Sequence, residues 1–295
     1  MLADYLTTSE VAAYLRLKER TIYDLVAKKE IPCSRATGKL LFPRALVDRW
    51  VESRLELQDP RWTDPPPIVA GSSDPLLEWA LRQSGSGLAV LTEGSSAGLV
   101  RLAAGGSVAV GLHLCGAAEG APDGNVAAIE AQVPLFDVAL IHWAYREQGL
   151  VVRPGNPLGL VDLADAARKK ARYVARQAGS GTQVLAQDLL ARAGLSLADL
   201  AALPRPALTQ PDLAAAIRAG EADCGLAIAA VAREAGLDFV PLHRERFDIA
   251  CRRRAYLEPP LQALFGIART EMFRDKAAAL GGYDAGRTGE VIYNR

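Results

Sequence analysis

The feature that most constrains this chain is a pair of proline interruptions early in it, Asp59-Pro60 and then Pro65-Pro66-Pro67. Proline lacks a backbone N–H, fixes its own φ and drives its predecessor into extended backbone, so neither a helix nor a paired strand passes through such a stretch. The segment reads as a stiff spacer. It separates an expected small domain over residues 1–58 from an expected larger one over residues 68–295, with the linker at 59–67. A length of 295 residues suits that division, since it exceeds what one small core organises. Half of the residues are hydrophobic and 23% are charged, which excludes a disordered chain.

In the small domain, Leu6-Thr7-Thr8-Ser9-Glu10-Val11-Ala12-Ala13-Tyr14-Leu15 opens with hydroxyl caps and continues with apolar residues at helical spacing. After a break at Arg16-Leu17-Lys18, a second helix is predicted over residues 19–28, with Ile22, Leu25 and Val26 inward and Arg20, Thr21, Tyr23 and Asp24 outward. Two strand-like pieces flank a predicted hairpin turn at Thr37-Gly38. Pro43 is expected in the first turn of a third helix carried by residues 45–57. Helix, turn, helix and wing is the predicted order.

The formal net charge is zero, so any electrostatic case for nucleic acid rests on how charge is distributed. Between Arg16 and Arg44 stand eight basic residues (Arg16, Lys18, Arg20, Lys28, Lys29, Arg35, Lys39, Arg44) against three acidic ones (Glu19, Asp24, Glu30), a local excess of five. A basic cluster alone is more often a solvated face. Here, however, Leu6-Thr7-Thr8-Ser9-Glu10-Val11-Ala12, Thr21-Ile22-Tyr23, Ile31-Pro32 and residues 38–43 resemble the excisionase-type winged helix-turn-helix. The resemblance implies that the second helix enters the major groove of double-stranded DNA and the wing lies on the backbone. Lys18, Arg20, Thr21, Tyr23 and Lys28 would face DNA, with Arg35, Lys39 and Arg44 on phosphates. So small a reader has few contacts, and a homodimer or higher homo-oligomer on repeated half-sites is expected.

From Ile68 onward, strand-like apolar runs alternate with helical stretches, which predicts an α/β fold with a largely parallel sheet. In such sheets ligands bind where strands end and helices begin, because free amides there favour an anion. Three Gly/Ser-rich turns occupy that position: Gly71-Ser72-Ser73-Asp74, Glu93-Gly94-Ser95-Ser96 and Gly179-Ser180-Gly181-Thr182. One such turn is usually only a helix cap; three predict a pocket of neutral donors suited to a small oxyanion.

The segments Val110-Gly111-Leu112-His113-Leu114, Arg146-Glu147-Gln148-Gly149-Leu150, Gly155-Asn156-Pro157, residues 176–182, 220–226 and 239–242, and Leu280-Gly281-Gly282-Tyr283-Asp284 resemble the two-lobed, type II periplasmic-binding-protein domain of molybdate-binding proteins. That resemblance implies a first lobe at about 68–147 and 247–295 and a second at about 149–246, with ligand in the cleft. Carried over by position, its contacts are Ser72, Ser73, Ser95 or Ser96, the Ser180-Gly181-Thr182 turn and Thr209, with His113 and Arg176 as further candidates. Molybdate or tungstate is the implied effector. The chain departs from the family pattern at Ala175, Gln183 and Gln210, where Asn, Arg and His are expected, which implies a different anion, a weaker one, or an organic ligand such as a molybdopterin precursor.

Other classes are less well supported. No H-x-x-x-H, H-E-x-x-H or Cys/His set is present, and His142 and His243 show no partner spacing, so no metal site and no cofactor are expected. Four cysteines without a C-x-x-C pair (Cys33, Cys115, Cys224, Cys251) are expected to be reduced and buried. Asp4, Glu10, Arg16 and Lys18 interrupt the first twenty residues, and Arg101 with Gly105-Gly106 interrupts the most apolar stretch, so export and membrane insertion are not expected and the protein reads as cytoplasmic. No nucleophile and base stand at a motif spacing, so no catalytic residue is assigned. The alternatives are a cofactor-synthesis enzyme using Ser180, His113 and Asp223 on a pterin, and a delivery protein whose head contacts another protein. The favoured expectation is a ligand-responsive transcription regulator.

Overall fold

The computed structural model describes residues 4–36, 38–52, 54, 65–114, 123–132, 135 and 137–294. Two compact units divide the chain, Met1–Pro60 and Arg61–Arg295. Thr37, Cys115, most of the expected linker and residues 55–57 of the expected third helix lie outside the described residues.

In the first unit a capping box starts α1 (Thr8–Tyr14): Thr7 Oγ1 accepts the Glu10 N–H at 3.4 Å while Glu10 Oε2 accepts the Thr7 N–H at 2.8 Å. Helix α2 (Glu19–Ala27) follows after Arg16, which takes a positive φ of 54° in the connecting turn. The ribbon of β1 (Tyr5–Leu6) and β2 (Phe42–Pro43) is antiparallel, and a bridge from Ser34 to Leu41 closes the base of the wing. Pro43 is the last residue of β2 and not part of a helix, because α3 (Arg44–Glu52) starts one residue later. Val11, Ile22, Val26, Phe42 and Val47 form the centre of one apolar cluster that ties all three helices to the ribbon.

The second unit is built on one sheet in the order β4-β3-β5-β10-β6-β9-β7-β8, with β11 and β12 also on β6. The strands are β3 (Ile68–Gly71), β4 (Ala89–Thr92), β5 (Ala109–Leu112), β6 (Val138–Val152), β7 (Arg172–Val174), β8 (Ala201–Ala202), β9 (Cys224–Ile228), β10 (Asp238–Arg252), β11 (Tyr283–Asp284) and β12 (Val291–Asn294). The helices are α4 (Pro75–Ser84), α5 (Ser95–Ala103), α6 (Gly124–Glu130), α7 (Leu163–Arg168), α8 (Gly181–Arg192), α9 (Gln210–Arg218), α10 (Ala229–Glu234), α11 (Arg253–Leu257), α12 (Pro259–Ala268) and α13 (Glu271–Leu280).

The sheet is mixed, not largely parallel. β3 pairs in parallel with β4 and β5, and β7 with β8 and β9, so each half has a parallel block made by strand-helix-strand crossings. The blocks are joined by the antiparallel pair β6 and β10, each of 15 residues. One end of β10 pairs with β5, and the opposite end of β6 pairs with β9. Fifteen residues of strand span about 50 Å, so this pair belongs to both blocks, and irregular register at Pro241/His243 and Phe247/Asp248 bends it between them. The carboxyl ends of β3, β4 and β7 consequently meet over the middle of the pair.

The buried thiols are Cys224 and Cys251, each with burial pushing the pKa up to about 12. Cys33 is exposed, contrary to expectation, because it lies in the strand-poor stretch between α2 and the wing.

Candidate functional site

The first turn of the site is made possible by glycine. Gly71 has φ +102°, and a β-carbon there would meet Gly111 O at 2.4 Å; one on Gly98 of α5 would meet the Gly71 Cα at 2.5 Å. Helix α5 therefore lies directly on the end of β3, and its first residue reaches the neighbouring turn. Ser72 Oγ and Ser95 Oγ are 2.9 Å apart and buried, and Ser95 Oγ accepts the His113 backbone N–H at 3.1 Å. One hydroxyl proton is used within the serine pair and the other is left for a guest.

The second half of the site comes from α8. Ser180 caps the helix by accepting the Gln183 N–H at 3.2 Å, and Thr182 is 3% exposed. A β-carbon on Gly181 would stand 2.2 Å from His113 Cε1, and one on Gly94 would stand 3.9 Å from Gly179 O. The 93–96 turn and His113 from one block thus face the 179–182 turn from the other. His113 is 5% exposed, with Nδ1 at 3.0 Å from Glu245 Oε2 and its ring stacked 6.1 Å from that of Phe247.

Arg176, between β7 and α8, is half-buried; its backbone N–H donates to Gln183 Oε1 at 3.2 Å. Its Nε and one terminal nitrogen are buried and make no hydrogen bond to any described residue. Burial pushes its pKa down, with Asp212 acting against the shift. Unpaired buried N–H groups are costly, and an anion would satisfy them.

Beneath this layer is a buried ionic group that the sequence reading missed. Glu245 of β10 accepts from Arg146 Nε at 2.6 Å and from Gln148 Nε2 at 2.6 Å, both on β6, and Arg146 reaches Asp74 Oδ2 at 2.9 Å. Tyr283 donates to the same Asp74 oxygen at 2.6 Å. Burial works to raise the Glu245 pKa, but Arg146, His113 and Gln148 outweigh it and hold the carboxyl at about 2. Burial likewise disfavours the Arg146 cation, yet Glu245 and Asp74 prevail and raise its pKa. Asp74 also caps α4 through the Leu77 N–H at 2.7 Å, so the network fixes the Ser72 turn from below. Arg146 and Gln148 alternate on one face of β6, but only the β6–β10 register sets Glu245 opposite Arg146, and the sequence does not carry that register.

Other expected residues lie apart from this cluster or are engaged otherwise. Ser73 is exposed and donates to Glu78 at 2.8 Å, and Ser96 is exposed. Thr209 is the exposed cap of α9, accepting the Asp212 N–H at 3.1 Å. Gln210 accepts the Ile228 N–H at 3.0 Å, so two of the three departures, Gln183 and Gln210, brace backbone. Asp223 is committed to Arg172 and Arg153, at 2.7 and 3.1 Å, away from Ser180 and His113. His142 does find a partner, Asp248 Oδ1 at 3.2 Å, across the β6–β10 ladder where chain spacing gives no hint. A cavity of about 360 Å³ lies elsewhere, between Val174, Leu203, Pro204 and α9, and includes none of the expected ligand residues.

On the first unit, Ile22 and Val26 turn α2 inward, leaving Lys18, Arg20, Thr21, Tyr23 and Lys28 exposed. Arg35 and Lys39 are exposed on the wing. Arg44 differs: its guanidinium lies 5.0 Å over the Tyr14 ring and 4.0 Å from Asp48 Oδ2, so part of its charge is spent within the unit.

Residues 77–269 match the family description "PBP superfamily domain" and residues 5–55 match "Helix-turn-helix domain". The chain is 25% identical to uncharacterized protein YvgK of Bacillus subtilis (strain 168) across 97% of each. Among solved structures, a Clostridium perfringens substrate-binding protein with bound phosphate has a TM-score of 0.53 at 16% identity, covering 72% of this chain and 96% of that one. PEB3 bound to L-phospholactate has a TM-score of 0.50 at 13% identity, covering 73% and 98%. At these identities the likeness is one of fold. Both the α/β architecture of the second unit and its pairing with a helix-turn-helix head agree with what the residues predicted.

Proposed function

The chain belongs to the PBP superfamily through residues 77–269, and from that premise we propose that it is a ligand-responsive transcription regulator whose second unit holds a small tetrahedral oxyanion, molybdate or tungstate. The helix-turn-helix match over residues 5–55 supports DNA binding, and the superfamily domain supports ligand binding. The observation that carries the anion is the meeting of the Ser72–Ser95–His113 group with the start of α8 at Gly181, together with Arg176 in the β7–α8 connection, whose buried N–H groups make no hydrogen bond to any described residue. Hydroxyls, amides at a helix start and one guanidinium together hold a compact dianion while leaving little apolar surface for anything else. The anion stabilises contact between the two blocks, and that closure changes the affinity of the head for DNA, as only a ligand with different affinities for two states can do.

Titration of the full chain with molybdate, tungstate, sulfate and phosphate tests the sensor. At one hundred times its Kd, an anion that binds only folded protein adds about 2.7 kcal/mol to unfolding, a large thermal shift. No shift with any of the four ends the oxyanion assignment. Gel shifts with DNA from upstream of the chain's own gene, with and without the anion, test the regulator: DNA binding that ignores a bound anion would leave a binding protein with an uncoupled head.

A further inference from the structure

His113 stands where the two blocks meet, and its three ring edges have different neighbours. The Cε1 edge faces the Gly181 α-carbon, Nδ1 is 3.0 Å from Glu245 Oε2, and Nε2 makes no hydrogen bond to any described residue. Glu245 is ionised, since Arg146 and Gln148 both donate to it, and a carboxylate only accepts; Nδ1 must therefore carry a hydrogen in every charge state of the ring. Only Nε2 is left to change. In neutral imidazole it is an acceptor, and in imidazolium a donor.

We infer that His113 reads the proton content of the bound oxyanion, admitting a fully ionised anion only when Nε2 is protonated and a hydroxyl-bearing anion when it is not. This rests on the anion reading above and sets its selectivity. Sulfate, molybdate and tungstate at neutral pH offer acceptors alone, so a neutral Nε2 sets lone pair against lone pair. Hydrogen phosphate or a phosphomonoester with an O–H turns a donor to the same nitrogen. Binding a fully ionised anion to neutral His113 then takes up one proton from solvent, which goes to Nε2. The groups facing the ring are Glu245 and Phe247 on β10, with Arg146 and Gln148 of β6 and Asp74 before α4 behind Glu245; Ser95 of α5; and the positive end of α8 at Gly181. Of these, Glu245 is held ionised by its donors, with its pKa at about 2, so it keeps the Nδ1 hydrogen in place and leaves Nε2 as the position where a proton is gained or lost.

Calorimetric titration of the full chain with sulfate across about pH 6 to 8.5 tests this. As pH rises across that interval, sulfate affinity is expected to fall by a factor approaching about tenfold per pH unit, the slope set by uptake of one proton. Repeating the titration at high pH in two buffers of different ionisation enthalpy should show about one proton taken up per sulfate. His113→Gln, which does not titrate, is expected to flatten the profile. Hydrogen phosphate is expected to keep its affinity over the interval in which sulfate loses it. A flat sulfate profile without proton uptake in the wild-type chain, or the same slope retained in His113→Gln, overturns the role of His113 and leaves the anion site standing. Absence of heat with sulfate, molybdate and phosphate at every pH overturns both. Should His113→Gln fail to fold, the proton uptake of the wild-type chain decides alone.

Discussion

Glu245 shows how one buried charge sets both the shape and the acid limit of the second unit. It is 4% exposed and accepts hydrogen bonds from Arg146, Gln148 and His113, which hold its pKa at about 2 against a desolvation that works the other way. An ordinary glutamate titrates near 4.3, so the folded value is depressed. The resulting stability is complete above the ordinary value and is lost as pH falls from about 5 toward 2; the shift corresponds to about 3 kcal/mol. Glu245→Gln has the same shape without the charge, and it leaves Arg146 with Asp74 as its remaining carboxylate, at a cost of about 3 kcal/mol near neutral pH. Urea denaturation is the measurement: the variant should start lower and lose less between about pH 6 and about pH 3 than wild type does. Equal losses would mean that the acid sensitivity comes from other groups. This residue was not readable in advance, since Glu245 lies among Arg244 and Arg246 in a run that reads as a solvated surface. Its partner Arg146 is about a hundred positions earlier in the chain, and only the β6–β10 register brings the two together.

At the level of elements, the start of α8 is where a small change should separate binding from folding. Gly181 is the first residue of α8, where the helix-interior preference for alanine over glycine does not apply in full, so the room around it decides the effect of Gly181→Ala. The added methyl falls 2.2 Å from His113 Cε1, and the ring cannot swing aside without breaking its bond to Glu245. The blocks are then held apart, and anion affinity should drop by at least about tenfold, or 1.4 kcal/mol. Calorimetry checks the affinity and a thermal melt checks the fold; unchanged affinity would show that Gly181 and His113 separate when the anion is bound. In the head, Lys39→Ala should weaken binding to all DNA sequences alike and lower the salt slope of log K by about one, as loss of a phosphate contact does. A sequence-selective loss would place Lys39 on a base instead. Helix starts were legible because their caps are local: Thr7 with Glu10 and Ser180 with Gln183 lie within three residues of each other, although Thr209, expected as a ligand contact, is such a cap too. The parallel blocks were legible for the same reason, each being a strand, a turn and a helix in succession. What joins them was not, because a pair of 15-residue strands bearing Arg146, Gln148, Glu245 and Asp248 inward has no period-two apolar face to find.

For the whole molecule, the question is whether two folded units on one chain exchange free energy. Among the described residues no helix is long and apolar enough to cross a membrane, and the basic surface of the head, with Lys18, Arg20, Lys28, Arg35 and Lys39 exposed, is suited to phosphates. If anion binding changes DNA affinity by some factor, DNA must change anion affinity by the same factor, because both are legs of one thermodynamic cycle. Typical couplings of 1–3 kcal/mol correspond to about 5- to 150-fold, well within reach of fluorescence anisotropy for DNA and calorimetry for the anion. The expected outcome is a matched pair of factors in the full chain, with both collapsing toward one in Gly181→Ala, where the anion no longer closes the site. The pair is informative because each failure has its own meaning. Anion binding without any effect of DNA would show the head and the sensor to be energetically independent. Unequal factors would reveal a third linked equilibrium, and assembly of copies on repeated half-sites is the natural one, since its contribution depends on protein concentration while the closure of a single cleft does not. Repeating the measurement at two chain concentrations therefore separates a switch within one molecule from a switch in how molecules assemble on DNA.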